Sequence, residues 1–80
     1  MKFRKKPVVI EAVKWKKDNW SEIKRFCPTA LLTEDTVNIM IPALEGIMQA
    51  NVHDWIIKGV KGEFYPCRND IFEATYERVD

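Results

Sequence analysis

The sequence has few of the residues that build disulfide frameworks, metal centres or membrane spans. Its 80 residues include 2 Cys, 3 Gly, 4 Pro and 1 His, and no apolar run approaches the roughly 20 residues that cross a bilayer. Cys27 and Cys67 lie far apart, which matches neither a disulfide framework nor the ligand spacing of a zinc site. We therefore expect reduced structural thiols, no metal, no cofactor and no membrane span.

The amino terminus also lacks the apolar segment of a signal peptide, because its lysine-rich start leads into Pro7 and Glu11. We therefore expect the protein in the cytoplasm where it is made. What the sequence does contain is typical of a folded domain: 46% of its residues are hydrophobic and 31% are charged. We predict a single domain, 1–80, whose small core makes a homo-oligomer a natural supplement to stability.

Charge is segregated along the chain, although its net value is only +1. Residues 1–25 hold nine Lys or Arg against three acids, residues 26–57 hold four acids and no base, and residues 58–80 hold four bases against five acids. This pattern predicts a basic side suited to phosphate, nucleic acid or an acidic protein. The alternative is an ordinary solvated surface.

Period-two alternation and turn residues predict most of the fold. Strands are expected over 7–15, near 31–32, over 36–41 and over 47–50, with hairpin turns at 44–46 and 59–62. The strands flanking 59–62 are Trp55–Lys58 and Glu63–Pro66.

Two short helices complete the prediction. Asn19 and Glu22 have the spacing of a capping box, and apolar residues at helical spacing follow as far as Pro28. Asp70 and Glu73 have the same spacing before a second helix. The predicted fold class is α+β, with a mainly antiparallel, five- or six-stranded curved sheet that bends toward a partial barrel. The expected core is Val8, Ile10, Val13, Ile23, Phe26, Ile39, Ile56, Phe64 and Phe72.

His53, Asp54 and Cys67 are the residue types of a thiol enzyme. No nucleophile elbow surrounds Cys67, and adjacent extended residues point in different directions, so we expect no catalysis here. The same residues also fail as a metal site.

Lys14, Lys16 and Lys17 enclose Trp15 in the sequence. In such an arrangement the indole can stack on a base or ring of a ligand while the lysines hold its phosphates. The alternative is a core indole, with the neighbouring lysines on the opposite strand face. The candidate binding residues are Glu11, Lys14, Trp15, Lys16, His53, Asp54 and Trp55.

Residues 5–15 and 54–67, and again 70–72 and 75–77, resemble small phage and prophage accessory proteins that carry a PGDYG-type motif. The resemblance implies a protein of the bacterial host cytoplasm and supplies no catalytic residues. Val52-His53 stands where the motif has Pro-Gly, and neither residue replaces glycine freely at a positive φ, so the geometry of this turn stays open.

Three functions remain. The first is a non-enzymatic accessory protein that binds a host protein, such as a defence component, through sheet edges and aromatics beside the basic side. The second is a small oligomer that sequesters an anionic, nucleotide-like molecule. The third is a single-stranded nucleic-acid binder, which the low net charge disfavours.

Overall fold

A computed structural model describes residues 1–3 and 7–79 of the chain. Its strands and helices are, in chain order, β1 Glu11–Lys14, α1 Trp20–Phe26, β2 Leu31–Leu32, β3 Ile39–Ala43, β4 Gly46–Ala50, β5 Trp55–Lys58, β6 Phe64–Cys67 and α2 Asn69–Thr75. The domain is small and mainly β, as predicted, with two short helices. None of the helices in the described part of the chain is long and apolar enough to cross a membrane.

The strands form two antiparallel sheets, so the prediction of one five- or six-stranded sheet or partial barrel is wrong. Sheet I has the order β1-β5-β6, and sheet II has the order β2-β3-β4. Strand β6 contacts β3 and β4, yet no strand ladder joins the two sheets within residues 7–79. Pro66 in β6 has no N–H to donate, which marks this strand as an edge.

The core lies between the inner faces of the two sheets, with α1 against it. Its cluster of buried residues is Trp15, Ile23, Cys27, Ala30, Ile39, Ile41, Ala50 and Ile56. Val13, Phe26 and Phe64 pack against this cluster, as predicted. Since opposed residues share a face, the pairing of Val13 with Ile56 places this face of sheet I toward the core.

Helix α2 covers part of the opposite, outer face of sheet I. Trp55 and Ile57 belong to this face, and Ile57 is fully buried although it lies outside the core cluster. The Trp55 and Phe72 rings stack with centroids 4.1 Å apart and an interplanar angle of 11°. Helix α2 therefore makes a second, smaller apolar layer.

The first strand is shorter than the predicted 7–15. Glu11 pairs with Lys58, which is the last residue of β5, so residues 7–10 run past the end of the ladder and have no partner on β5. Val8 is consequently 50% exposed, and its assignment to the core is wrong. Ile10 and Phe72 are only half-buried.

Both predicted hairpins are present, with different roles for their glycines. Leu44 and Glu45 connect β3 to β4, and Gly46 has a φ of 113°. In the β5–β6 hairpin only Gly62 has a positive φ, of 83°. Gly59 instead leaves room for a neighbour, because a Cβ there would overlap the Glu63 carboxyl group.

Neither helix is capped as the sequence predicts. The Asn19 side chain precedes α1 without bonding to its backbone, and binds the end of β1 instead. Helix α2 starts at Asn69, with Arg68 as its N-cap, so Asp70 lies inside the first turn and does not cap the helix. Pro28 follows α1 closely, as predicted.

Candidate functional site

The backbone brings the predicted site residues together where β1 ends beside the start of β5. Lys14 pairs with Trp55 across the ladder. Beyond this pair, the Trp15 amide donates to the Asp54 carbonyl at 2.8 Å, and the His53 amide donates to the Trp15 carbonyl at 2.7 Å. Two segments nearly 40 positions apart in sequence thus meet at one end of sheet I.

The side chains do not form one pocket, however. Trp15 is 1% exposed, and its indole Nε1 donates to the Val37 carbonyl at 2.8 Å. Trp15 is therefore a core residue whose indole N–H has an internal partner, which is the second of the two expectations for this side chain. Glu11 lies at the opposite end of β1, where it is exposed and pairs with Lys58 across the ladder.

The turn that connects β4 to β5 keeps a glycine-like geometry without a glycine. The Asp54 amide donates to the Asn51 carbonyl at 2.9 Å, and His53, at the third position, has a φ of 78°. A positive φ at that position is what a type II turn requires, usually from Gly or Asn. The Asp54 carboxylate accepts the Asn51 N–H at 2.9 Å and closes the turn from the other side.

Trp55 opens onto an apolar hollow, which we name the terminal groove. Its volume is about 340 Å³. Residues 8–10 and Ala12 form one wall, residues 76–79 form another, and Trp55 and Phe72 complete the lining. The groove is therefore built from both ends of the chain around one exposed side of an aromatic stack.

Three aromatic rings organise this groove. The Phe72 ring stacks on Trp55, and the Tyr76 ring lies 5.0 Å from Phe72, one helical turn further on. The indole Nε1 of Trp55 donates to Asn69 Oδ1 at 2.9 Å, which fixes Trp55 against α2. Burial and a hydrogen bond with Tyr76 raise the pKa of the Tyr65 phenol to about 12.

A basic segment adjoins the groove. Lys14 follows Ala12 on the same face of β1, while Lys16 and Lys17 are exposed just beyond the strand. Asn19 holds this segment in place: its Oδ1 accepts the Lys16 amide and its Nδ2 donates to the Lys14 carbonyl, both at 2.8 Å. The lysines are thus carried on a fixed backbone at one end of an apolar groove.

Cys67 has the wrong electrostatics for a nucleophile. Burial raises the pKa of its thiol, and the nearby carboxylates of Asp54 and Asp70 raise the pKa further. The reactive form of cysteine is the thiolate, which this environment disfavours. Cys27 is buried and also free. No group of three potential metal ligands occurs within residues 1–3 and 7–79.

The sequence pointed to Trp55 and Lys14 but missed most of the groove. Phe72 was expected in the core, and Tyr76 was not among the candidate binding residues. The available signal was their spacing of four residues, which puts two aromatic rings on one helix face. Val8 and Val9 are exposed because the β1–β5 ladder stops at Glu11. No local pattern in the sequence predicts where the ladder stops.

Comparisons with protein-family models, with curated proteins and with solved structures found no match to this chain.

Proposed function

We propose that this chain is a non-enzymatic accessory protein of phage type that binds a protein of the bacterial host, such as a defence component. The observation that carries the proposal is the terminal groove, an open hollow of about 340 Å³ with a mainly apolar lining that also includes Glu77 and Arg78, and with Lys14 beside Trp55 on the same face of sheet I. Open apolar hollows with a few placed polar groups are the usual form of a binding site.

The chemistry of the groove favours a particular kind of segment on the partner. Val8 and Val9 are 50% and 76% exposed, and with the Trp55–Phe72 stack they offer apolar contact along the groove. Lys14 and Lys16 supply positive charge at one end. A peptide segment of the partner with apolar side chains followed by acidic residues would bury its apolar side chains in the groove and bring its acidic residues close to the lysines.

The two other functions have less support from the geometry. A nucleotide pocket that combines Glu11, Trp15 and Lys16 would need side chains that lie at opposite ends of β1 or inside the core. A nucleic-acid surface would need exposed aromatic faces for base stacking beside the lysines, and Trp15 among them is buried.

Native mass spectrometry of the protein purified from phage-infected host cells tests the proposal. We expect the wild type to retain one host protein at a fixed ratio. Val9→Glu places a charge in the groove wall and should remove that protein. Val60→Glu is the matched control, because Val60 is similarly exposed at 66% but lies in the β5–β6 hairpin, and it should retain the partner.

The other results contradict the proposal in distinct ways. A retained mass in the nucleotide range would favour the small-molecule function, and retained oligonucleotide would favour the nucleic-acid function. Equal loss of the host protein from both valine variants would show that the groove is not the binding surface. Retention of nothing by the wild type would reject a stable host complex.

A further inference from the structure

The outer face of sheet II is mainly apolar and, among residues 1–3 and 7–79, largely exposed. The pairing of Leu31 with Met40 and of Pro42 with Ile47 places these side chains on one face, together with Gln49. The other face, with Ile39 and Ile41, packs into the core. Leu31 is 61% exposed and Ile47 is 71% exposed, so these two side chains are open to solvent, whereas Met40 on the same face is half-buried.

Such a face is unusual for an antiparallel sheet. One side of these sheets normally packs on the core while polar residues alternate toward solvent. Here β3 reads Ile-Met-Ile-Pro-Ala and has no polar side chain on either face. The neighbouring strand adds one, Gln49. None of the five side chains on the outer face is charged.

The total surface of the protein also exceeds that of a compact monomer. Its accessible area is 6365 Å², whereas a monomeric protein of 9.4 kDa is expected to expose about 5000 Å². Part of this excess belongs to Met1 and Phe3, which are almost fully exposed.

We propose that the outer face of sheet II packs face to face against the same face of a second copy of this chain. An uncharged apolar face can pack against its own copy about a two-fold axis, because it brings no like charges together. Packed sheets lie about 10 Å apart, with their side chains interdigitated in a dry layer. The interface would give this small domain apolar burial that its own chain does not supply.

Packing of faces accounts for the exposure pattern better than pairing of strand edges. Strand β4 is an edge strand, so two copies could also join through β4 in a continuous sheet. Leu31 lies on β2, two strands and about 10 Å away from β4, and such a joint would leave it exposed. Face packing covers Leu31 and Ile47 together.

The proposed interface is independent of the terminal groove. The groove lies on the outer face of sheet I beside α2, and the core separates it from sheet II. A dimer would therefore present two grooves on its outside, and the dimer can be tested without any partner.

Sedimentation equilibrium of the purified chain between about 1 and 100 μM tests the proposal. We expect a mass of twice 9.4 kDa for the wild type. Ile47→Lys and Leu31→Lys should each weaken the dimer at least tenfold, because each places an ammonium group in the dry layer. Val60→Lys is the matched control at a similarly exposed valine, and should leave the dimer unchanged. Circular dichroism melts establish that each variant is folded.

Three results would overturn the proposal. The first is a wild type that stays monomeric at 100 μM or forms a mass other than that of a dimer. The second is a dimer weakened by Ile47→Lys and not by Leu31→Lys, which is the behaviour of edge pairing through β4. The third is equal weakening by Val60→Lys, which would indicate a general effect of added charge.

Discussion

Replacing His53 by glycine should stabilise the protein, because the backbone there already has a conformation suited to glycine. His53 has a φ of 78°, while its side chain is exposed and absent from the core cluster. An L-residue in the left-handed region costs roughly 1–2 kcal/mol, although His tolerates it better than most residues. The change therefore removes strain and sacrifices little packing.

The gain is reduced by the greater freedom of glycine in the unfolded chain, which costs roughly 0.4–1 kcal/mol. The net expectation is a free energy of unfolding higher by about 0.5–1 kcal/mol. For a domain of this size, that gain corresponds to an increase in Tm of about 2–8 °C. Urea denaturation followed by tryptophan fluorescence measures the gain directly as a shift in the midpoint.

Two control variants separate relief of strain from other effects. Glu34→Gly changes an exposed turn residue without a positive φ, so only the entropic cost should appear and the midpoint should fall. His53→Ala removes the imidazole and keeps the strain, so it should be less stable than His53→Gly by about 1 kcal/mol. If His53→Gly proves no more stable than the wild type, or only as stable as His53→Ala, the strained turn is refuted.

The other expectations concern the core, alkaline pH, the thiol and the lysines. Ile56→Ala should lower the free energy of unfolding by about 2–4 kcal/mol in urea denaturation, since this side chain is fully buried; an unchanged midpoint would remove β5 from the core. The pKa of Tyr65 is raised to about 12, so the folded state favours the neutral phenol. The contribution of Tyr65 to stability should therefore be complete below about pH 10 and be lost as the pH rises toward 12. Absorbance titration at alkaline pH should show late ionisation of Tyr65, and ionisation of Tyr65 near pH 10 would contradict this expectation. Because the pKa of Cys67 is raised, iodoacetamide at pH 8 should alkylate Cys67 in the folded protein more slowly than in a free peptide of the same segment. Faster alkylation in the folded protein would contradict this expectation. The double variant Lys14→Glu/Lys16→Glu should slow association with the host protein about tenfold at low salt and change dissociation less; unchanged association rates across salt concentrations would reject electrostatic attraction.

Local signals in the sequence were sufficient for the turns and the first helix. The glycines at 46 and 62 mark hairpins that the structure contains, and Pro28 marks the end of α1 to within two residues. These features depend on the conformations that glycine and proline allow, which neighbouring residues scarcely alter. The alternation in β3 likewise identified Ile39 and Ile41 as residues of one face.

The division of the strands between two sheets could not be predicted in the same way. It depends on which edges pair, and both β4 and β6 have suitable local patterns for membership of a single sheet. Proline does not decide the question either: Pro66 lies on the edge strand β6, but Pro42, which also lacks an N–H to donate, lies on the central strand β3. The capping boxes failed for different reasons. The Asn19 side chain bonds to the Lys14 carbonyl, the Lys16 amide and the Glu22 carboxylate rather than to the backbone of α1, whereas α2 begins at Asn69, before Asp70.

The candidate site was predicted only where it follows the β1–β5 ladder. Lys14, His53 and Trp55 do meet there, because antiparallel pairing of two correctly identified strands brings their ends together. The terminal groove needs in addition the contact of residues 8–10 with residues 76–79. Those segments have no regular secondary structure, so no periodicity in the sequence records how they meet.

Both proposed surfaces follow from the small number of elements in the chain. Two sheets have four faces, and the two inner faces are buried against each other and α1. Only α2, with seven residues, is left to cover the remaining two, and it covers part of the outer face of sheet I. The part of that face that α2 leaves open is the terminal groove, and on the outer face of sheet II Leu31 and Ile47 are exposed. Exposed apolar side chains stabilise a monomer very little, and this is the reason for the two proposals: a host protein in the groove and a second copy on sheet II.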